Sequence, residues 1–304
     1  MYTNDDPRSS LATAEKPAAT PAHDGSTRLP QYIEFAAAPP VETTEAGSAT
    51  WYFRGQNFVL SLTTLEPGDV LGRAGQAHPY VLLLTDDATS VDVTAAGETA
   101  AIDEQALVVV PPGDSTITAR ARTTVIRLFD NRTEDLMALA SNAQAYAVPD
   151  PRVAPLEPWP DPVGGHRLRV YYPERVEAQP GRFGRIYRTS SFMVNFLDPQ
   201  LGPRDPEKLS PHHHDDFEQC SLAVEGEFVH HIRTPWTPRR SQWRDDEHTK
   251  VGSPSVAIIP PPTIHTTEAV GPVTNRLIDI FCPPREDFSS KAGWVLNAGE
   301  YPQP

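Results

Sequence analysis

Apolar residues in this chain come in short blocks of four to eight, set apart by Gly, Pro, Asp, Asn and Ser. Blocks of that length, bounded by turn residues, predict β-strands. In the first half the strands are Asn57–Leu62, Tyr80–Leu84, Ser90–Val93, Ala106–Val110 and Thr124–Phe129. In the second half they are Phe192–Leu197, Cys220–Val224, Phe228–Ile232 and Ser255–Ile259. Glu225-Gly226-Glu227 reads as a tight turn between two of these. Glu134–Ala147 has partly helical apolar spacing and is the best helix candidate, leading out of the first half. The pattern is that of an all-β body with many turns.

Composition sharpens this picture. With 304 residues the chain has room for two domains of ordinary size. Its 33 prolines and 18 glycines suit many turns and irregular tails. No run approaches the roughly 18 apolar residues of a membrane helix, and the start, Met1–Asp6, lacks the basic and apolar regions of a signal peptide. A net charge of −14 disfavours nucleic acid and anionic membranes as partners. Cys220 and Cys282 both fall in strand-like sequence and are expected to be buried free thiols, which fits a cytoplasmic protein.

Five segments are expected: an arm at 1–30, disordered or extended; a β domain at 31–147; a proline-rich linker at 148–164; a second β domain at 165–285; and a tail at 286–304 whose aromatics pack on the body. The insert Thr234–Lys250, with Trp236 and Trp243, is a candidate lid or a plain surface loop.

The candidate chemistry sits in Pro211-His212-His213-His214-Asp215-Asp216-Phe217-Glu218-Gln219 and in Pro260-Pro261-Pro262-Thr263-Ile264-His265. Alternation along a strand lets His212 and His214 share a face. Two imidazoles, a nearby carboxylate or amide and a third imidazole from a distant strand form a first shell for a divalent metal. Asp215 and Asp216 are candidate acceptors for the outer ring nitrogens. Of His230 and His231 only one can face inward; His230 is taken as a candidate catalytic residue, with Tyr187 and Arg188. Arg185 or Arg188 could hold a substrate carboxylate.

The two segments together resemble the motifs of the cupin superfamily. The first motif is His-x-His, three or four residues, Glu, six residues, Gly. The second is Pro-x-Gly, two residues, His. His212, His214, Gly226, Pro260 and His265 match. Glu218 fits the spacing from His214, whereas Gln219 has the six-residue count to Gly226, so either is a candidate fourth donor; Gln219 is favoured for the inward face. Pro262 stands at the motif glycine. The first half echoes the second: Val108–Thr116 parallels Ala257–His265, with Thr116 in place of the histidine and His78 as the lone upstream histidine.

The resemblance implies two cupin-type barrels (double-stranded β-helix, or jelly roll) in tandem, the first without metal. It implies one divalent transition metal per chain, Fe(II) favoured over Mn, Ni, Co or Zn, and a small-molecule substrate. A dioxygenase-type oxidoreductase is the expected activity. The alternatives are a non-redox isomerase, cyclase, lyase or hydrolase, and a non-catalytic binding protein. A homodimer is the assembly that family habit implies, with the N-terminal arm as the exchanged element.

Overall fold

The computed structural model describes residues 7–10 and 27–304. Two β-barrels, each of two sheets, make up most of the described residues, and the α-helices among these are two short ones, Glu134–Leu139 and Glu286–Ser289. Among the described residues no helix is long and apolar enough to cross a membrane. Of the N-terminal arm, Pro7–Ser10 forms a 3-10 turn; the rest of the expected arm up to residue 26 lies outside the described residues.

The main sheet of the first barrel is built on Tyr80–Leu84, Ala106–Val110, Thr123–Asp130 and Phe58–Leu65. Its smaller sheet holds Val70–Gln76, Gly113–Ala119, Val91–Ala95 and Glu98–Ile102. The second barrel repeats the plan. Ser255–Ile259, Gln219–Glu225, Thr274–Phe281, Met193–Phe196 and Arg185–Arg188 form its main sheet. Phe228–Arg233, flanked by Glu247–Val251 and Ile264–Ala269, forms the smaller one.

Strand alternation decides what each face touches. From the two main sheets, Val81, Leu83, Leu107 and Leu128 join Cys220, Leu222, Ile258 and Ile280 in one continuous apolar core between the barrels. The intervening residues face the barrel interiors. In the first barrel these are mostly apolar, including Leu82, Leu84, Val93, Val108 and Ile117, with Ser61, Ser115 and Arg127 buried among them. In the second, Gln219, Ser221, His230, His265 and Asp279 are all buried. Burying polar groups is costly unless each finds a partner, and the second barrel gathers two histidines, an amide, a hydroxyl and an acid at its centre.

The strand pairing crosses both expected domain boundaries. Gln31–Glu34, ahead of the first barrel, pairs antiparallel with Ser255–Ile259 and completes the second barrel's main sheet. Arg169–Tyr171, beyond the proline-rich linker, pairs with Ala106–Val110 and completes the first. Each short segment covers what would otherwise be an open sheet edge.

Three smaller expectations change. The helix predicted over Glu134–Ala147 stops at Leu139, Ala140 turns extended, and a 3-10 turn follows at Ala143–Tyr146. The break comes from tertiary hydrogen bonds: the Ser141 N–H donates to Tyr52 O, and the Asn142 side chain bonds both N and O of Arg54. The insert Thr234–Lys250 is no lid over the cavity described below; Trp236 and Trp243 stack on each other at 4.4 Å and line none of it. In the first barrel Thr116 is exposed, because a register shift between Gly113 and Ser115 turns Ser115 inward instead. The tail does pack on the body, burying Trp294, Val295 and Tyr301, and both cysteines are buried and free.

Candidate metal centre

The site is set by three pieces of backbone. Gln219 opens its strand and pairs with Ile259, so its side chain projects into the barrel. His212 and His265 form an isolated antiparallel bridge, with His212 N–H donating to His265 O at 3.0 Å and His265 N–H to His212 O at 2.7 Å. His214 packs against the Phe217 ring at 4.4 Å. Downstream, Gly226 holds the hairpin turn at φ +90°, where a Cβ would collide with Asn275 and with the backbone of Thr274.

The candidate donor atoms of His212, His214 and His265 all lie within 4.8 Å of one another. Gln219 Oε1 sits 2.8 Å from His214 Nε2 and 3.2 Å from His265 Nε2. The amide is oriented from behind: its Nε2 donates to Ser221 Oγ and to Asp279 Oδ1, both at 3.0 Å. Ser221 Oγ in turn donates to Asp279 Oδ1 at 2.9 Å. His212 Nδ1 donates to Ser210 O at 2.8 Å, and His265 Nδ1 to Thr263 O at 3.0 Å.

These bonds fix the tautomers and test the fit to a metal. With Nδ1–H committed to a carbonyl, the neutral His265 ring presents a lone pair at Nε2. That lone pair faces the Gln219 oxygen, another acceptor. A proton on Nε2 would relieve the clash, but burial above all, with Arg8, His213 and Arg285 also acting against it, pushes His265 down to about 4. Burial likewise drives His214 far below the ordinary histidine value, and His212 is lowered by burial and by neighbouring His265. Three neutral imidazoles and an amide oxygen that converge, with a bare His265 lone pair facing the Gln219 oxygen, suit a divalent transition metal. His212, Gln219 and His265 line a cavity of about 520 Å³, so such a metal has an open side.

Not every expected residue belongs to this centre. Glu218 points the other way, since neighbours on a strand face opposite sides. Its Oε2 accepts from Gln56 N–H at 2.6 Å in the interface with the first barrel, where burial raises the carboxyl to about 7. The strand does carry a register shift, between Ala223 and Glu225, but it lies beyond Gln219 and leaves its facing unchanged. Tyr187 packs with Tyr171 and Phe196 in the inter-barrel core. Arg188 lies under the tail, its guanidinium bonded to Tyr301 O and 5.0 Å over the Trp159 ring. Arg185 is bonded to Val176 O and Asp198. These three arginine and tyrosine side chains are structural, and none lines the cavity. His230 is buried in the barrel with Nδ1 3.0 Å from Thr267 Oγ1, but it too stays off the cavity wall. His231 is on the outer face, bonded to Glu268 and His248. Asp215 pairs with exposed His213, so main-chain carbonyls rather than Asp215 or Asp216 hold the outer ring nitrogens of His212 and His265.

Two contributors have no place in the motifs. Asp279 is a lone acid inside the apolar run Leu277-Ile278-Asp279-Ile280-Phe281, an anomaly visible in the sequence. Arg8 lines the cavity from the N-terminal segment, and no sequence signal points to it.

The first barrel shows what replaces the centre. By register Tyr80 takes the place of Gln219, Leu82 that of Ser221 and Arg127 that of Asp279. The Tyr80 hydroxyl shares a hydrogen bond of 3.0 Å with Ser115 Oγ, closing the middle of that barrel with a neutral pair.

Tandem barrels of this topology, one with a histidine triad at its centre, have the bicupin fold. Solved structures agree. An oxalate decarboxylase from Lactobacillus farciminis, in its formate complex, is 13% identical over 84% of this chain and 86% of that one, with a TM-score of 0.56. An 11S allergen from Cocos nucifera is 13% identical over 81% and 88%, at 0.53. A cupin 2 conserved barrel domain protein from Leptotrichia buccalis is 11% identical over 83% and 96%, at 0.50. Identities this low show the fold alone, which hosts many functions. No family model and no curated protein sequence matches the chain.

Proposed function

We propose that the protein is a metal-dependent enzyme acting on a small organic substrate, of the dioxygenase type. One observation carries the reading: neutral nitrogen and oxygen donors converge at the wall of a 520 Å³ cavity that also offers Phe183, Leu197, Phe228 and Leu277 to an apolar substrate body. His212, His214, Gln219 and His265 are the residues that would hold the metal. A divalent metal would supply Lewis-acid polarisation of a chelating substrate and, as iron, a redox-active centre through which electrons of the substrate reach dioxygen. Asp279 and Ser221 keep the amide oxygen aimed inward, and the carbonyls of Ser210 and Thr263 keep two imidazoles in the metal-binding tautomer.

The amide donor favours a second reading. With no carboxylate in the shell the metal retains its full dipositive charge, which suits a non-redox lyase or isomerase working by carbonyl polarisation. Elemental analysis of the untagged protein, followed by oxygen uptake against a panel of catechols, hydroxyaromatic acids and β-diketones, separates the two. Iron with substrate-dependent oxygen consumption supports the dioxygenase. Zinc, with turnover unchanged under nitrogen, supports the non-redox enzyme. A protein that holds no metal after loading and dialysis would overturn both.

A further inference from the structure

Two strands of the second barrel's smaller sheet form one wall of the cavity. Phe228–Arg233 and Ile264–Ala269 run antiparallel, and alternation gives three inward pairs in succession: Ile232 opposite His265, His230 opposite Thr267, and Phe228 opposite Ala269. His265, Thr267, Phe228 and Ala269 line the cavity. The wall therefore passes from a metal donor, through a hydroxyl, to an apolar end that Leu197 and Leu277 extend.

The middle pair stands out. His230 is buried, and its Nδ1 lies 3.0 Å from Thr267 Oγ1. Burial above all, with His265 and His231 acting the same way, lowers the imidazole to about 4, so the ring is neutral. The first barrel shows that the fold does not require such a pair. There Ser115 holds the inward position that corresponds to His265, opposite Ala95, and the next inward pair is Ile117 opposite Val93, both fully buried. An apolar pair fills that place with no polar group to satisfy, whereas a buried imidazole and hydroxyl need a partner. The polar pair occurs in the barrel that has the histidine triad and the open cavity.

Resting on the reading of this cavity as the substrate site, we propose that Thr267 is a specificity-determining residue that receives the hydroxyl of a phenol- or enol-type substrate, and that His230 is the positioning residue behind it. A hydroxyl has one proton and two lone pairs, so the bond to His230 leaves Thr267 able to make another toward the cavity, where its side chain is half-buried. With Nδ1 bare, His230 takes the Thr267 proton and lone pairs face the cavity; with Nδ1 protonated, the Thr267 proton faces the cavity. A substrate hydroxyl, donor and acceptor at once, meets Thr267 in either tautomer, whereas a carbonyl oxygen meets it in only one. Two residues along a strand are about 6.6 Å apart, so one small molecule reaches both Thr267 and the histidine triad while its apolar body lies against Phe228 and Ala269. A site built to bond a hydroxyl rejects the analogue that lacks one.

The test uses phenol and fluorobenzene, which is close to it in shape but has no hydroxyl, as probes in calorimetric titrations. The full-length protein is titrated as purified and again after metal removal, with metal content and melting temperature measured on each sample. Phenol is expected to bind at least about fivefold more tightly than fluorobenzene, with or without metal. Thr267→Val, which keeps the shape and loses the hydroxyl, should remove that preference with metal content and fluorobenzene affinity unchanged, and Thr267→Ser should keep it. His230→Leu should weaken phenol alone, and His230→Gln, which can still bond Thr267, should restore part of the loss. Failure of phenol to bind, equal binding of the two probes, or an unchanged preference in Thr267→Val would overturn the proposal, and an unchanged preference in His230→Leu would overturn the role of His230. A protein that holds no metal after loading yet prefers phenol through Thr267 would leave this proposal standing and remove the metal reading alone.

Discussion

Loading the metal-free protein with zinc at pH 6 should release few protons. A free imidazole has a pKa of about 6.5 and is roughly three-quarters protonated at pH 6, so three ordinary histidines would shed about two protons on ligation. Here burial holds His265 down to about 4, and His212 and His214 are lowered too. All three are then neutral before the metal arrives, and the expected release is below about half a proton per site. Calorimetry in two buffers of different ionisation enthalpy reads the number directly. A release near two protons would refute the inference that the site is built from neutral, preoriented rings. The same shifts fix the sign of the pH dependence of stability. The native state binds fewer protons than the unfolded chain between the native pKa values and about 6.5. Stability is therefore full above pH 6.5 and is lost as pH falls toward 4, by up to about 1.4 kcal/mol per pH unit for each such histidine. The melting temperature of the metal-free protein should drop steeply over that window.

Other outcomes follow from the same geometry. Gln219→Ala should raise the metal dissociation constant by at least about 10- to 100-fold, whereas Glu218→Gln should leave it within about twofold, because only Gln219 faces the histidines; competition with a chromogenic chelator measures both, and the reverse order would reject the assignment. Asp279→Leu removes the acceptor that aims the amide and should weaken metal by about 10- to 100-fold with all four donors intact; unchanged affinity would show that Ser221 suffices. Residues 150–304 expressed alone should be insoluble, lacking the strand Gln31–Glu34 and exposing Leu222, Ile258 and Ile280. A monodisperse fragment that binds metal normally would refute this.

The parts legible in the sequence are those in which local pattern and environment coincide. Tyr80–Leu84, Ala106–Val110 and Ser255–Ile259 are buried on both faces, so each reads as an unbroken apolar block with clear ends. The histidine triad was legible because the backbone bridge between His212 and His265 lies where two recognisable segments meet. The inward facing of Gln219 follows from strand period alone. What stayed hidden depends on distant partners. Gln31–Glu34 is four residues long, half-buried and without alternation, and only its pairing with Ser255–Ile259 makes it a strand. Ser115 replaces Thr116 as the inward residue through a local register shift that no count of residues reveals. Tyr187 and Arg188 looked available because their strand is polar at both ends, yet one sits between the barrels and the other under a tail that arrives a hundred residues later. Arg8 illustrates the same limit, since a lone arginine in a polar arm carries no mark of where it will dock.

The exchange of edge strands also has a temporal meaning. A ribosome makes Gln31–Glu34 early and its partner Ser255–Ile259 late. Through most of synthesis that strand waits unpaired, while Ala106–Val110 waits for Arg169–Tyr171 for a much shorter time. The first barrel can therefore close soon after its own segment and the linker emerge, in the usual amino-to-carboxyl order. The second cannot close until nearly the whole chain is out, because its sheet needs the oldest strand and some of the newest residues together. The metal centre, which depends on that sheet, is thus the last part of the molecule to be completed, and a chain truncated by premature termination would carry a finished first barrel and no metal site.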